Sequence, residues 1–160
     1  MKKMSEVPEP ERDADGSLAD GSLSAVFAGW SKWHGTDPFE DMAGPFFYRH
    51  THEHGIVTAF KVEDRHMNAG NAIHGGMLMT FADYSLFVIA MDQLGDAGGV
   101  TIALNGEFTA AGRASGIVTA RGEVVRATGS MVFVRGTIHQ DDAVLVSFSG
   151  IVRKLRKGVA

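Results

Sequence analysis

The 160-residue sequence predicts an α+β domain, and three observations carry that expectation. One long apolar segment, from about Gly75 to Gln93, reads as a helix. Six segments rich in Val, Ile, Thr and Phe, separated by Gly-containing turns, read as strands. Their order is β-β-α-β-β-β-β. Strands joined by such short turns are expected to pair antiparallel, and a single helix can cover only one face of their sheet.

The elements follow in chain order. Residues 1–22 are polar, charged and Gly/Pro-containing, so a flexible acidic tail is expected there, with 23–160 forming one domain. Leu23, Val26, Phe27 and Trp30 fall at i, i+3, i+4 and i+7, a single apolar stripe. It predicts a short surface helix at about 23–33, with Ser22 as its N-cap. The stretch "HGTDPFEDMAGP" reads as a loop. Strands are expected at 46–51 and 55–62, joined by the polar "HEHG". After the long helix come the Gly95 to Gly99 punctuation and strands at about 100–109, 115–127, 131–140 and 143–154. In "HTHEH", His50, His52 and His54 would share a face if the strand continued that far, a conceivable metal site. The hairpin-tip reading of the same residues favours no metal.

Composition narrows the function classes. The sequence has no cysteine, which rules out disulfides, thiolate metal sites and a Cys nucleophile. The net charge of -4 is concentrated at the start: residues 1–41 carry nine carboxylates against Lys2, Lys3, Arg12 and Lys32, and the remainder is nearly neutral. The one basic cluster, "RKLRKG" from Arg153, reads as a solvated end, so no nucleic-acid partner is expected. Asp83, Asp92 and Asp96 interrupt the longest apolar run, which stays short of the roughly 18 residues a membrane span needs. The first residues lack the apolar core of a signal peptide. A soluble, cytoplasmic protein with no membrane partner is expected.

One stretch carries a specific pattern. In "NAGNAIHGGMLMTFAD", His74-Gly75-Gly76 begins six residues after Asn68, and Asp83 follows nine residues after His74. Four residue types at these spacings resemble the PaaI-type acyl-CoA thioesterases, and the likeness runs from about Phe46 onward. That resemblance implies the hotdog fold, a long helix wrapped by one antiparallel sheet. It implies an acyl-CoA substrate, no cofactor beyond the coenzyme A of that substrate, and no metal. By the same resemblance Thr101, in "GGVTIALNGEF", stands where the family often has a hydroxyl residue. The resemblance also implies that Arg126 and the Gly129-Ser130 turn lie where the pantetheine and nucleotide of coenzyme A pass, where Arg121, Arg126 and Arg135 could contact its phosphates. Isolated strand arginines are otherwise usually solvated.

The residue types suit that chemistry. A helix N-terminus offers unpaired N–H groups and the positive end of the dipole, which together can hold an oxyanion. Gly75 and Gly76 sit there and let a carbonyl come close; the alternative is that they only permit a tight turn into the helix. His74 either polarises the carbonyl or is simply hydrogen-bonded in place. Asp83, flanked by Phe81, Ala82, Tyr84 and Leu86, is a carboxylate in apolar surroundings, which is costly unless paired or used. It is either a general base for water, or a nucleophile, or a solvated residue on an exposed stripe. Asn68 would orient water or the carbonyl, and Thr101 would hydrogen-bond the water or Asp83. Met79 and Phe87, with Met77 and Phe81, suggest an adaptable apolar pocket.

Helix geometry adds an assembly expectation. Gly75 and Asp83 are eight residues apart, about 12 Å along the axis and about 80° apart around it. One chain cannot bring both to one carbonyl. Two antiparallel helices at a two-fold axis can, so a homodimer is expected, and the family resemblance implies pairing of dimers into tetramers. The reading is an acyl-CoA thioesterase, with a non-hydrolysing acyl-CoA sensor or carrier as the alternative. A hydratase would need a differently spaced His and carboxylate.

Overall fold

In a computed structural model that describes residues 23–33 and 37–155, six strands form one sheet. They are Phe47–Thr51 (β1), Gly55–Lys61 (β2), Gly99–Phe108 (β3), Ile117–Ala127 (β4), Met131–Gln140 (β5) and Ala143–Lys154 (β6), in the order β1-β2-β4-β5-β6-β3. Every neighbouring pair is antiparallel. Alternation sets which face is the core: along β5, Val132, Val134 and Ile138 are buried on one face while Arg135 stands exposed on the other. The helix Gly75–Ile89 (α3) lies across the buried face, with Leu78, Phe81, Ala82, Leu86 and Val88 in the core.

Two details fix how closely α3 lies on the sheet. Ser85 is fully buried; its hydroxyl donates to Phe81 O at 2.7 Å and receives from Thr58 Oγ1 of β2 at 2.7 Å, so this buried hydroxyl is satisfied. Gly150 in β6 leaves space for Leu86: a Cβ there would collide with the leucine side chain and stand 2.8 Å from Ala103 O. Only a residue without a side chain lets helix and strand approach this far.

The helix is shorter than its apolar run. It stops at Ile89 rather than at Gln93, because Ala90 takes φ -88 and ψ 0 and turns its N–H toward both Leu86 O and Val88 O. A further turn, Met91–Leu94 (α4), continues at a 60° bend. Gly95 and Gly98, with φ of 60 and 66, then carry the chain into β3. Among the described residues no single helix is long and apolar enough to cross a membrane.

The first helix also departs from expectation. It spans Leu23–Val26 (α1) rather than 23–33, since Gly29 adopts a left-handed φ of 77 and Ser31 then bridges to Tyr48, each donating its N–H to the other's carbonyl at 2.8 Å. The apolar stripe is still used. Val26 and Phe27 pack on the outer face of the sheet against Phe47 and Ala59, with the Phe27 and Phe47 rings stacked 4.0 Å apart. The expected tail and the Ser22 cap lie outside the described residues.

A helix that the sequence reading took as loop, Pro38–Ala43 (α2), packs against α3. Asp37 caps it, accepting from Phe39 N at 3.2 Å and Glu40 N at 3.1 Å, with Pro38 at the first helical position. The two sheet edges differ. The Ser31 bridge shields β1, whereas the outer side of β3 has no strand partner among the described residues and presents Val100, Ile102 and Phe108 to solvent.

Candidate active site

The loop before α3 is built by Asn68. Its side-chain oxygen accepts from Gly70 N at 2.8 Å and Ala72 N at 3.2 Å, and Met67 bridges to Ile73 across the turn. That oxygen is therefore occupied in shaping the turn, and Asn68 is not among the residues that wall the two cavities described below. His74 N then donates to His66 O at 2.8 Å, which ties the motif to a buried anchor. His66 is 3% exposed, its Nδ1 accepts from Glu63 N at 3.0 Å, and burial lowers its pKa.

His74 is the N-cap of α3. With extended φ and ψ of -63 and 133, its Nδ1 accepts from Gly76 N at 2.9 Å. An accepting Nδ1 leaves the ring proton on Nε2, free to donate outward. The Gly76 N–H is thereby occupied, so of the two glycines only Gly75 offers an N–H with no hydrogen bond among the described residues. Neither glycine has a left-handed φ, which removes the tight-turn explanation for them. Space explains both: a Cβ on Gly75 would sit 3.3 Å from the Phe108 ring, and one on Gly76 would sit 3.0 Å from His74 Nδ1.

Two turns into α3, Asp83 is partly buried and accepts from Thr101 Oγ1 of β3 at 2.7 Å. It is not a residue on a solvated stripe. Burial raises its pKa, the Thr101 hydrogen bond pulls it back down, and the charge of Asp37 raises it further. The carboxyl borders two adjoining cavities. One, of about 500 Å³, is walled by Trp33, Tyr84, Phe87, Val100 and Thr101. The other, of about 390 Å³, is walled by Gly76, Met79, Thr80 and Leu104. Met79 and Phe87 thus line the space beside Asp83 that the sequence suggested.

Two residues the sequence reading did not single out border both cavities with Asp83: Asp37 and Glu40 of the α2 segment. Glu40 is pushed up to about 7, chiefly by burial and then by the charges of Asp37, Asp83 and Asp41. The Asp37-Pro38 pair was a legible helix start. That the helix would lay its acids against α3 depends on tertiary packing.

The remaining expected residues lie elsewhere. Arg126, Gly129 and Ser130 sit at the β4–β5 hairpin, exposed, and border neither cavity of this chain. Thr128 Oγ1 accepts from Met131 N at 3.0 Å and shapes that turn. On the outer sheet face Arg135 Nε donates to Glu123 at 2.8 Å, and Arg121 Nη1 lies 3.0 Å from His54 Nε2. Among the described residues no three His or carboxylate side chains cluster to hold a metal ion, so the His50, His52 and His54 alternation builds no such group. Gly75 and Asp83 stand at opposite ends of two helical turns of α3, as their spacing requires.

A long helix wrapped by an antiparallel sheet is the hotdog fold, and here that helix opens on His-Gly-Gly and carries a partly buried acid two turns in. The family model described as "Thioesterase superfamily" matches residues 70–147. The Pseudomonas aeruginosa protein PA0474, whose name assigns it provisionally to the esterases, is 28% identical over 117 residues, spanning 72% of this chain and 87% of its own. The structure of the Thermus thermophilus protein TT0310 aligns with a TM-score of 0.63 at 26% identity, over 76% of this chain and 100% of that one. A variant of the phenylacetic acid degradation protein PaaI from the same organism aligns with a TM-score of 0.63 at 25% identity, over 74% of this chain and 100% of that one.

Proposed function

We propose that this protein hydrolyses acyl-CoA thioesters as a homodimer with two shared sites. Asp83 takes a proton from water as the water attacks the thioester carbonyl, while Gly75 N–H and His74 Nε2–H of the partner subunit hold the developing oxyanion. The observation that carries this reading is the Asp83 carboxylate: partly buried, raised in pKa, held by Thr101 at 2.7 Å and bordering two cavities. A general base held this way has its lone pair directed and its protonation tuned. The resemblance of the His74 to Asp83 motif to PaaI-type acyl-CoA thioesterases supports an acyl-CoA substrate, and the aromatic walls Trp33, Tyr84 and Phe87 suit an aryl or medium-chain acyl group.

The assembly part of the proposal rests on two facts. The Gly75 N–H and Asp83 are too far apart on one straight helix to serve one carbonyl. The unpaired outer side of β3, with Val100, Ile102 and Phe108 exposed, suits a second copy. The family resemblance adds pairing of such dimers into tetramers, and the reading keeps the protein in the cytoplasm. Thiol release across a panel of acyl-CoA esters tests the activity. The proposal expects turnover with at least one member and its loss in Asp83→Asn. Tight binding of acyl-CoA with no thiol released from any member would favour the non-hydrolysing carrier instead.

A further inference from the structure

We propose that Glu40, on α2, is the second acid-base group of this site and delivers to the departing thiolate the proton that its sulfur needs. This rests on the thioesterase reading above. Hydrolysis of a thioester has two proton demands: water must lose one as it attacks, and the thiolate of coenzyme A must gain one as it leaves. Asp83 meets the first demand and nothing in the motif meets the second.

The placement of Glu40 answers it. Glu40, Asp37 and Asp83 are the three residues that border both cavities, so Glu40 shares both spaces with the base, whose charge acts on its carboxyl. Asp37 is occupied in capping α2, and Asp83 is held by Thr101. The Glu40 carboxyl makes no hydrogen bond or ion pair among the described residues. A second, separate observation marks the same place as one that meets a ligand. Tyr84, 3% exposed, lines the larger cavity with its hydroxyl buried and without a hydrogen bond among the described residues, although the Trp33 backbone and the Glu40 carboxyl are close enough to affect its ionisation. Such groups are rarely left unsatisfied without a water or ligand at the site.

The charges around Glu40 set its protonation. Asp37 and Asp41 flank it on its own segment and Asp83 faces it from α3, all negative, with the Tyr84 hydroxyl beside them. The cation nearest in sequence to α2 among its contacts, Arg65, reaches the far end of the helix, donating to Met42 O at 2.8 Å and to Gly44 O while paired with Glu63. Glu40 is therefore a carboxyl that keeps its proton up to about pH 7, while Asp83, also raised by burial, has the Thr101 hydrogen bond to favour its ionised form. Of two carboxyls in one site, the one whose charged form accepts a hydrogen bond suits the base and the one without such a bond suits the acid.

The step balances. Water bonds to the carbonyl carbon and its proton goes to Asp83. As the tetrahedral intermediate collapses, the C–S bond breaks, the electron pair goes to sulfur, and the Glu40 proton joins it. The products are the free acid and the thiol. Asp83, now protonated, returns its proton to Glu40, and the site is reset.

The test compares wild type, Glu40→Gln, Glu40→Asp and Asp83→Asn on two substrates with one acyl group, its coenzyme A ester and an ester of an acidic aryl thiol that leaves without protonation. The expected result is that Glu40→Gln loses about 10²-fold in kcat on the CoA ester, and that this loss exceeds the loss on the aryl ester by at least about tenfold. Wild-type kcat on the CoA ester should fall as pH rises through about 7, a limb that Glu40→Asp retains and Glu40→Gln lacks. Equal losses on both esters, wild-type turnover in Glu40→Gln, or persistence of the alkaline limb in that variant would overturn the inference while leaving Asp83 in place, provided Asp83→Asn is dead on both. Wild type inactive on both esters would overturn the hydrolase reading itself, and the role of Glu40 with it. Turnover of the aryl ester by Glu40→Gln also reports that the variant is folded.

Discussion

Thr101 Oγ1 of β3 donates a 2.7 Å hydrogen bond to Asp83 Oδ1 of α3, joining the edge strand of the sheet to the acid in the middle of the helix. This bond opposes the effect of burial on Asp83: desolvation raises the carboxyl's pKa and the hydroxyl lowers it. Thr101→Val should remove that restraint and let the pKa rise further. A base must be ionised to act, so the acid limb of the kcat/KM profile should move to higher pH. A hydrogen bond to a charged group of this kind corresponds to about ten- to a hundredfold in the ionisation equilibrium, so activity on the acid limb should fall by about that factor. Thr101→Ser, which keeps the hydroxyl, should restore the profile. An unchanged acid limb in Thr101→Val would separate Thr101 from the base.

His74 has a structural and a chemical task that one substitution separates. Asn caps helices well, so His74→Asn should keep the bond to Gly76 N and leave Tm within about 2 °C of wild type. It lacks a donor in the place of Nε2–H, and kcat should fall about 10²-fold, the scale for losing one oxyanion donor. Loss of stability with kcat unchanged would make His74 a cap only. Gly76→Ala should disturb both, because its Cβ would stand 3.0 Å from His74 Nδ1.

Much of this was legible in the residues, for identifiable reasons. The strands Met131–Gln140 and Ala143–Lys154 fall where alternation and Gly-containing turns predict them, because period-two burial repeats over ten or more residues. The His74 to Asp83 spacing was legible too, since it lies within one helix and needs no tertiary knowledge. Short elements were not. α2 has six residues, too few to show a period, and α1 ends early because a single left-handed glycine, Gly29, outweighs a continuing apolar stripe. Asn68 was read as a site residue, yet no spacing reveals that its oxygen closes its own turn. Glu40 escaped notice because its proximity to Asp83 arises only when α2 packs on α3.

The close approach of α3 to β6 predicts a stability effect far from the site. Gly150→Ala places a methyl against Leu86 and 2.8 Å from Ala103 O, where backbone cannot yield cheaply. The cost should be about 1–3 kcal/mol, lowering Tm by about 2–4 °C per kcal/mol. Thermal unfolding measures it, and a Tm equal to wild type would mean that the helix does not rest on the sheet as described.

Glu40 also predicts a pH dependence of stability. Its folded pKa of about 7 lies above the ordinary value of 4.5, so the folded state holds a proton there that the unfolded chain releases. Its contribution is fully present below 4.5 and is lost as pH rises through about 7. Glu40→Gln removes that loss. The variant should therefore gain Tm relative to wild type at pH 8, and gain less or nothing at pH 4.5, in parallel melting scans. The same difference at both pH values would show that Glu40 is not held protonated by its surroundings.

If two chains share each site, two dead variants carrying different lesions should complement one another when their subunits mix. Asp83→Ala removes the base. Gly75→Pro deletes the free N–H at the first helical position, where proline is otherwise favoured and where the extended His74 backbone, with φ and ψ of -63 and 133, already suits a following proline. The two variants are unfolded and refolded together, and native mass spectrometry follows the subunit mixing. If each site takes Gly75 from one chain and Asp83 from the other, every mixed dimer has one intact site and one with both lesions. Random mixing makes about half of the dimers mixed, so about a quarter of all sites should recover wild-type turnover. A mixture in which mixed dimers are present by mass, yet thiol release stays at the level of the parents, would contradict the shared site.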